Sequence, residues 1–265
     1  MSDYLMEHPL EAERLELKTR REKVLHQLRS LPLTPGMDVL DVGCGTGAVT
    51  RILAEKVFPG TVVGVDFSKE RLRAAEQIAR EAGVENVRYV TADVRTLELG
   101  EEQFDLVFSR CLFQYLPGKL GEDTLSAMKR RARAGGTICV ADIDGNCLYR
   151  YPVDQEMGPI LEAFLQELEK AGLDPYVGRK LYSMFHKAGF RDIQVDLLPY
   201  YLIPGAADST TLSVWQMKIK ILEKKLREAF PPASRAEQMC ERFMTDLANE
   251  EILHYNLMFV VQGKV

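Results

Sequence analysis

Val39-Leu40-Asp41-Val42-Gly43-Cys44-Gly45-Thr46-Gly47 sets a short apolar run against a turn holding three glycines, and Ala48 to Val57 continues as a helix-like stretch. A strand that ends in glycines at a helix start lets backbone N–H groups come close to a ligand, because no Cβ intervenes. Outward from this turn, strand and helix alternate. Thr61-Val62-Val63-Gly64-Val65-Asp66 reads as the next strand, and Ser68 is placed to cap a helix that runs to about Ala82 and stops at Gly83. Val87 to Val90 and Phe104 to Phe108 give a third and a fourth strand. Pro117 to Arg133 contains a helix, and Thr137 to Ala141 gives a fifth strand. Strands that are nearly all apolar and separated by helices predict an α/β, doubly wound, mostly parallel sheet buried on both faces. Ligands of such sheets bind beyond the carboxyl ends of the strands. Asp41, Asp66, Asp93 and Ser109 all fall at or just past such ends.

The flanks are less regular. Residues 9–30 read as one charged helix with sparse apolar positions, broken by Leu31-Pro32-Leu33-Thr34-Pro35-Gly36. Asp154 to Ala171 carries a helical apolar stripe, Gly178 to Ala188 is a further helix, and Ile193 to Leu198 a strand. Two amphipathic segments follow within residues 209–249, separated by Pro231-Pro232, before a final strand from His254 to Val261. We expect one domain: an N-terminal helical cap (1–30), a ligand-binding core (35–150) and a helical lid (151–175 and 200–250) over the substrate mouth. The apolar stripes of the lid are most simply core packing, although an apolar lid would favour a lipophilic substrate.

Composition narrows the function. The 265 residues carry 34 basic and 39 acidic side chains, a formal net charge of -5, and no basic stripe of the kind that tracks phosphates. The dense cluster Lys129-Arg130-Arg131 with Arg133 sits at a helix end, where cations offset the macrodipole. A nucleic-acid substrate is therefore not expected. The five cysteines, Cys44, Cys111, Cys139, Cys147 and Cys240, are scattered without a CxxC pair, which fits a reducing compartment. Met1-Ser2-Asp3-Tyr4-Leu5-Met6-Glu7 has no secretion-signal pattern, and no apolar run approaches the roughly 20 residues that span a bilayer. These features predict a soluble cytoplasmic protein.

The glycine turn alone leaves its ligand open. Gly43, Gly45 and Ala48 satisfy the dinucleotide fingerprint, with Asp66 near the distance expected of a ribose-binding acid. Gly43, Gly45 and Gly47 equally form a G-x-G-x-G turn. The longer stretch from Val39 to Asp144 resembles the class I S-adenosylmethionine (SAM)-dependent methyltransferases, particularly the small-molecule group that includes the ubiquinone and menaquinone C-methyltransferases. Asp41 to Gly47 is similar to their first motif and Val65-Asp66-Phe67-Ser68 to the second. Thr91-Ala92-Asp93-Val94 resembles the third, Phe104 to Ser109 the fourth strand, and Arg133-Ala134-Gly135-Gly136-Thr137 the hairpin before the fifth. Where that hairpin often carries Pro-Gly-Gly, this chain has Ala134-Gly135-Gly136.

The resemblance implies a Rossmann-like seven-stranded sheet whose last strand inserts antiparallel between the fifth and sixth. It implies a cofactor site of Asp41, Gly43, Cys44, Gly45, Gly47, Asp66, Phe67, Asp93, Val94 and Ser109. Asp66 would hold the ribose, Phe67 would lie against the adenine, and Asp93 would contact its amino group. The expected activity is methyl transfer from SAM to a small molecule, leaving S-adenosylhomocysteine (SAH). No Asn-Pro-Pro-Tyr or Asp-Pro-Pro-Tyr follows the fourth strand, which argues against nucleobase or glutamine amino groups as acceptors.

Direct displacement needs alignment and exclusion of water more than covalent help, so no catalytic residue need stand out. Arg110 could orient an anionic acceptor, or pack along the rim. Tyr115 could polarise an acceptor, or shape the pocket. Cys111 reads as a small filler, and Gln114 and Tyr115 stand where the resembled family usually has a His-containing segment. Asp142 and Asp144 without a third ligand do not make a metal site. His254 reads as structural, and no role is expected of His8, His26 and His186. Two further readings remain: a SAM-binding protein without methyl transfer, and an NAD-linked oxidoreductase, against which the Asp93 motif speaks.

Overall fold

The computed structural model describes residues 5–153, 155 and 157–265. Met1 to Tyr4, Asp154, at which a helix was expected to begin, and the Cys147 side chain lie outside the described part. The strands are β1 (Val39–Val42), β2 (Val62–Asp66), β3 (Val87–Thr91), β4 (Phe104–Arg110), β5 (Ala132–Tyr151), β6 (Arg191–Pro204) and β7 (Leu253–Lys264). The helices are α1 (Glu11–Lys18), α2 (Arg21–Gln27), α3 (Ala48–Val57), α4 (Lys69–Glu81), α5 (Lys119–Arg131), α6 (Met157–Lys170), α7 (Leu181–Lys187), α8 (Ser209–Ala229) and α9 (Ala233–Leu247).

Among the described residues the seven strands form one sheet in the order β3-β2-β1-β4-β5-β7-β6. The first five pair in parallel, and β7 runs antiparallel to both β5 and β6. The chain lays β2 and β3 on one side of β1 and then returns to place β4 on the other. That reversal opens a crevice at the carboxyl ends of β1 and β4. β1 and β2 are buried along their whole length, as strands covered on both faces must be. Alternate residues divide between the faces: Leu40, Val42, Val63, Val65 and Val107 pack toward α5 and α7, while Val39, Val62, Leu106 and Phe108 pack toward α2 and α3. A third core lies away from the sheet, where Phe164, Trp215, Leu226, Phe230 and Phe243 close α6, α8 and α9 on one another.

Three elements depart from expectation. The predicted helix over 9–30 is two helices, because the Thr19 hydroxyl donates to Leu15 O at 2.7 Å and Arg20 is extended (φ -70°, ψ 124°). A β-branched residue that bonds its own preceding turn competes with helix continuation. β5 and β6 run well past the predicted Thr137–Ala141 and Ile193–Leu198, because β7 pairs with both over most of their length. Asp142 and Asp144 therefore lie inside β5 rather than beyond it. The two helices between β6 and β7 divide the work unequally: α8 faces the crevice, while α9 packs behind it.

The Ser68 side chain accepts from Arg71 N and caps α4. Three members of the basic cluster at the end of α5, Lys129, Arg131 and Arg133, are committed locally. Lys129 donates to Ala188 O at 2.8 Å, and Arg133 pairs with Asp38 and Asp105 at 2.7 and 2.6 Å. No helix of the described residues is long and apolar enough to cross a membrane.

Candidate active site

The turn after β1 is fixed by its own backbone. Gly43 N–H and Cys44 N–H both donate to Val65 O at 2.8 and 2.9 Å, and Gly43, Gly45 and Gly47 have φ of +76°, +57° and +74°. Side chains rarely tolerate this region. A Cβ on Gly47 would also stand 2.4 Å from Tyr89 Oη, and one on Gly43 would stand 3.0 Å from Leu112 Cδ2. The glycines are thus required twice, by conformation and by space. The N-terminal cap lies across the turn: Glu16 accepts from Thr46 Oγ1 and from Arg51 Nη2, both at 2.6 Å.

Three carboxylates border this turn. Asp41 is 2% exposed and accepts from Thr50 Oγ1 at 2.6 Å, and burial pushes its carboxyl up to about 6. Asp66 accepts from Gly45 N–H at 3.0 Å, from Ser68 N–H at 2.9 Å and from the Arg71 guanidinium at 3.1 Å. Arg71 reaches on to Glu7 at 3.0 Å and lies over the Phe67 ring. Asp93 accepts from Arg95 N–H at 2.9 Å, and the Arg95 side chain holds its carboxyl below the usual range. Asp41, Gly43, Cys44, Gly45, Asp66, Phe67, Asp93 and Val94 all line one cavity of about 1040 Å³. Two expected members do not. Gly47 stands behind the turn as the cap of α3, and Ser109 is fully buried with its hydroxyl donated to Val42 O at 2.9 Å. Ser109 is therefore corrected from cavity wall to strand cross-link.

The same cavity continues past β4. Arg110 is on its wall, with Nε donating to Gln27 Oε1 at 2.8 Å and the guanidinium over the Tyr200 ring. Cys111 adopts φ +56°, a strained conformation for a residue with a Cβ, and it also lines the cavity. Tyr115, in a short helical turn, lines both this cavity and a smaller inner chamber of about 40 Å³. Behind it Gln114 donates to Asp142 Oδ1 at 3.2 Å, and burial pushes the Asp142 carboxyl up to about 6.

Asp144 is held instead by Arg179 at 2.6 Å and by the Tyr149 hydroxyl at 3.0 Å. The two acids thus serve different partners. His254 is fully buried beside Arg150 and lines none of these cavities, and burial lowers its imidazole to about 4.

A family model described as a methyltransferase domain matches residues 33–189, more than half of the chain. The chain belongs to the class I SAM-dependent methyltransferase family. The chain is 30% identical over 196 residues to the demethylmenaquinone methyltransferase of Geobacillus stearothermophilus, a match covering 69% of this chain and 81% of that relative. It is 27% identical over 157 residues to the malonyl-[acyl-carrier protein] O-methyltransferase of a Paenibacillus species, where the match covers 58% of this chain and only 55% of the relative. In fold it is similar to phosphoethanolamine N-methyltransferase 2 of Haemonchus contortus, solved with SAM. The TM-score is 0.59 at 19% identity, over 92% of this chain and 52% of that one.

The fold also brings to its cavities residues that no motif marks. Leu15, Lys18 and Thr19 come from the cap, Leu173 from the loop after α6, and Ile221, Lys224 and Lys225 from α8. Each belongs to an ordinary amphipathic or charged stretch, so only the folded chain distinguishes it.

Proposed function

We propose that this methyltransferase holds SAM along the glycine turn and passes its methyl group to a small molecule seated under α8. The observation that carries the reading is one continuous cavity, with glycines and three acids at one end and the lid at the other. The fit to the cofactor is chemical as well as spatial. SAM carries positive charge on sulfur and on its amino group, and Asp41, bonded to the uncharged Thr50 hydroxyl, would face it, while Asp66 and Asp93 are paired with Arg71 and Arg95. The close approach at Gly43 and Gly45, where a Cβ would strike Leu112 or Leu15, leaves backbone as the wall. Asp66 would take the ribose hydroxyls, Phe67 and Val94 the adenine faces, Asp93 its amino group, and Asp41 with the turn the amino-acid end.

SAM, when bound, supplies an electrophilic methyl group whose displacement discharges the sulfonium. The protein's own work is to align the acceptor and to exclude water, which suits a cavity roofed by α1 and α8. Tyr115, shared between cavity and inner chamber, would position the acceptor, and Arg110 would stiffen the wall through Gln27 and Tyr200. Leu112, Leu116, Leu120, Leu173 and Ile221 give the acceptor space an apolar side, so the acceptor has an apolar body. With a net charge of -5, a nucleic acid is a poor acceptor.

Calorimetry with SAM, SAH and NAD tests the first half of this reading, and binding of NAD but not SAM would overturn it. Transfer of labelled methyl from SAM into a metabolite extract tests the second half. Tight SAM binding with no labelled product under any condition would leave a SAM-binding module in place of an enzyme.

A further inference from the structure

The first helix lies against the glycine turn, and its last residue reaches the cavity. Leu15 Cδ1 stands 3.1 Å from a Cβ built on Gly45, and Glu16 accepts from Thr46 Oγ1 at 2.6 Å. Lys18 follows Leu15 by three residues, so the two share a face of α1 with ~5–6 Å between their Cβ atoms. Lys18 therefore stands about one helical turn beyond the contact with Gly45, and it lines the large cavity with Asp41, Gly43 and Cys111. With the ribose of SAM at Asp66 and its amino-acid end at Asp41, as proposed above, its sulfur falls between them, along the turn that Leu15 touches.

Lys18 makes no hydrogen bond or ion pair with a described residue. The two acids near it are engaged elsewhere. Glu11 holds Arg14 in a bidentate pair at 2.7 Å, and Asp142 accepts from Ile143 N–H at 2.8 Å and from the Gln114 amide at 3.2 Å. From β4 and the residue after it, the Arg110 guanidinium and the Cys111 thiol face Lys18. Tyr200 and Tyr201 of β6 and Lys218 of α8 border the inner chamber with it, and Arg20 and Lys23 border a further small pocket. Burial, with Arg14 and Arg110 near, lowers its ammonium to about 8, so the free amine is accessible close to neutrality. A sulfonium entering the same cavity adds positive charge and lowers it further.

We propose that Lys18 is the catalytic residue that takes the acceptor's proton, and that the methyl-receiving atom is the oxygen of an acidic hydroxyl, a phenol or an enol. The inference rests on the methyl-transfer reading and deepens it. The Lys18 amine accepts the hydroxyl proton as the oxygen attacks the methyl carbon. The C–O bond forms, the S–C bond breaks with its electron pair left on sulfur, and the products are a methyl ether, SAH and the Lys18 ammonium, whose proton then passes to water. A phenol, at about 10, lies within reach of such an amine, whereas an aliphatic alcohol holds its proton too tightly. An amine acceptor, protonated in water, would instead meet Lys18 and Arg110 as like charges. Leu112, Leu116 and Leu120 on the same cavity wall give a ring an apolar seat.

Calorimetry at pH 8, run in phosphate and in Tris, counts the protons released when SAM binds. Asp41 is already ionised there, and the quantity read is wild type minus Lys18→Arg, so ionisation of the ligand itself cancels. Arginine keeps the positive charge and cannot give up its proton. The expected result is that wild type releases roughly a third to a half of a proton more than Lys18→Arg, and that Lys18→Met matches Lys18→Arg. Equal counts in all three proteins overturn the role of Lys18 while SAM binding stands. Failure of the wild type to bind SAM overturns the methyl-transfer reading and this inference with it. The acceptor class is read on protein saturated with SAH and titrated with 4-nitrophenol at pH 6, where the free probe is largely protonated. Bound probe should show the yellow of its anion in wild type and in Lys18→Arg, and in Lys18→Met should lose it and bind about tenfold more weakly. No binding of the phenol, or a colour unchanged in Lys18→Met, overturns the assignment.

Discussion

Asp41 is a buried acid at the glycine-turn end of the cavity, where the proposed cofactor would lie. Burial holds its carboxyl at about 6 in the free protein, so it is only partly protonated near pH 6 and fully so below pH 5. A ligand that brings positive charge favours the ionised form, and acid therefore opposes binding. We expect the SAM dissociation constant to rise several-fold between pH 7 and pH 5, and Asp41→Asn to bind weakly with a flatter profile. Calorimetry across that range checks both. Gly47 is a purely conformational case. Its φ of +74° and the Tyr89 hydroxyl 2.4 Å from a built Cβ predict that Gly47→Ala loses about 1–3 kcal/mol of stability in urea denaturation. Adding Tyr89→Phe should restore part of that loss, since the hydroxyl is the nearest obstacle. At this scale the sequence was readable wherever backbone geometry demands one residue type. It was misleading at Ser109, where a polar residue near a strand end proved to be tied to Val42 O instead of facing the cavity.

Among the elements, α1 is the one whose role exceeds its length. Through Glu16 it joins the glycine turn at Thr46 and α3 at Arg51, and just beyond its end Arg20 reaches Asp208 and Thr211 at the start of α8. Glu16→Gln should lower SAM affinity by about threefold to tenfold, because Arg51, 13% exposed, loses its charged partner. The variant should also be cut faster within residues 5–20 by limited proteolysis, and an unchanged cleavage rate would count against a cap held by this contact. The strands and helices from β1 to β4 were legible because each is a local unit with its own cap or glycine stop. The ends of β5 and β6 were not, since their length is set by pairing with β7, more than a hundred residues beyond β5. Lys18 and Lys218 were equally silent, for in sequence each resembles a solvated helix lysine and only folding joins them.

For the whole molecule, buried titratable groups pull stability in opposite directions as pH changes. His254, at about 4 when folded against an ordinary 6.5, charges more readily in the unfolded chain, so it removes stability as pH falls from 6.5 toward 4. Asp41 and Asp142, raised to about 6, do the reverse: their contribution is full below the ordinary carboxylate value and is lost as pH rises through 6. Denaturation of wild type and His254→Leu at pH 7 and pH 5 separates the two effects. Relative to wild type, the variant should gain about 2 kcal/mol on moving to pH 5. The proposed arrangement, cofactor on the β1–β4 side and acceptor toward α8, also has a temporal side. β7 follows β6 in the chain yet lies between β5 and β6. During synthesis the glycine-turn half can assemble as it emerges from the ribosome, whereas β5 and β6 wait as unpaired edges until Lys264 is clear of the exit tunnel. We expect the nascent protein to pass through a stage in which the glycine-turn half has formed and the β5-β7-β6 side of the sheet has not.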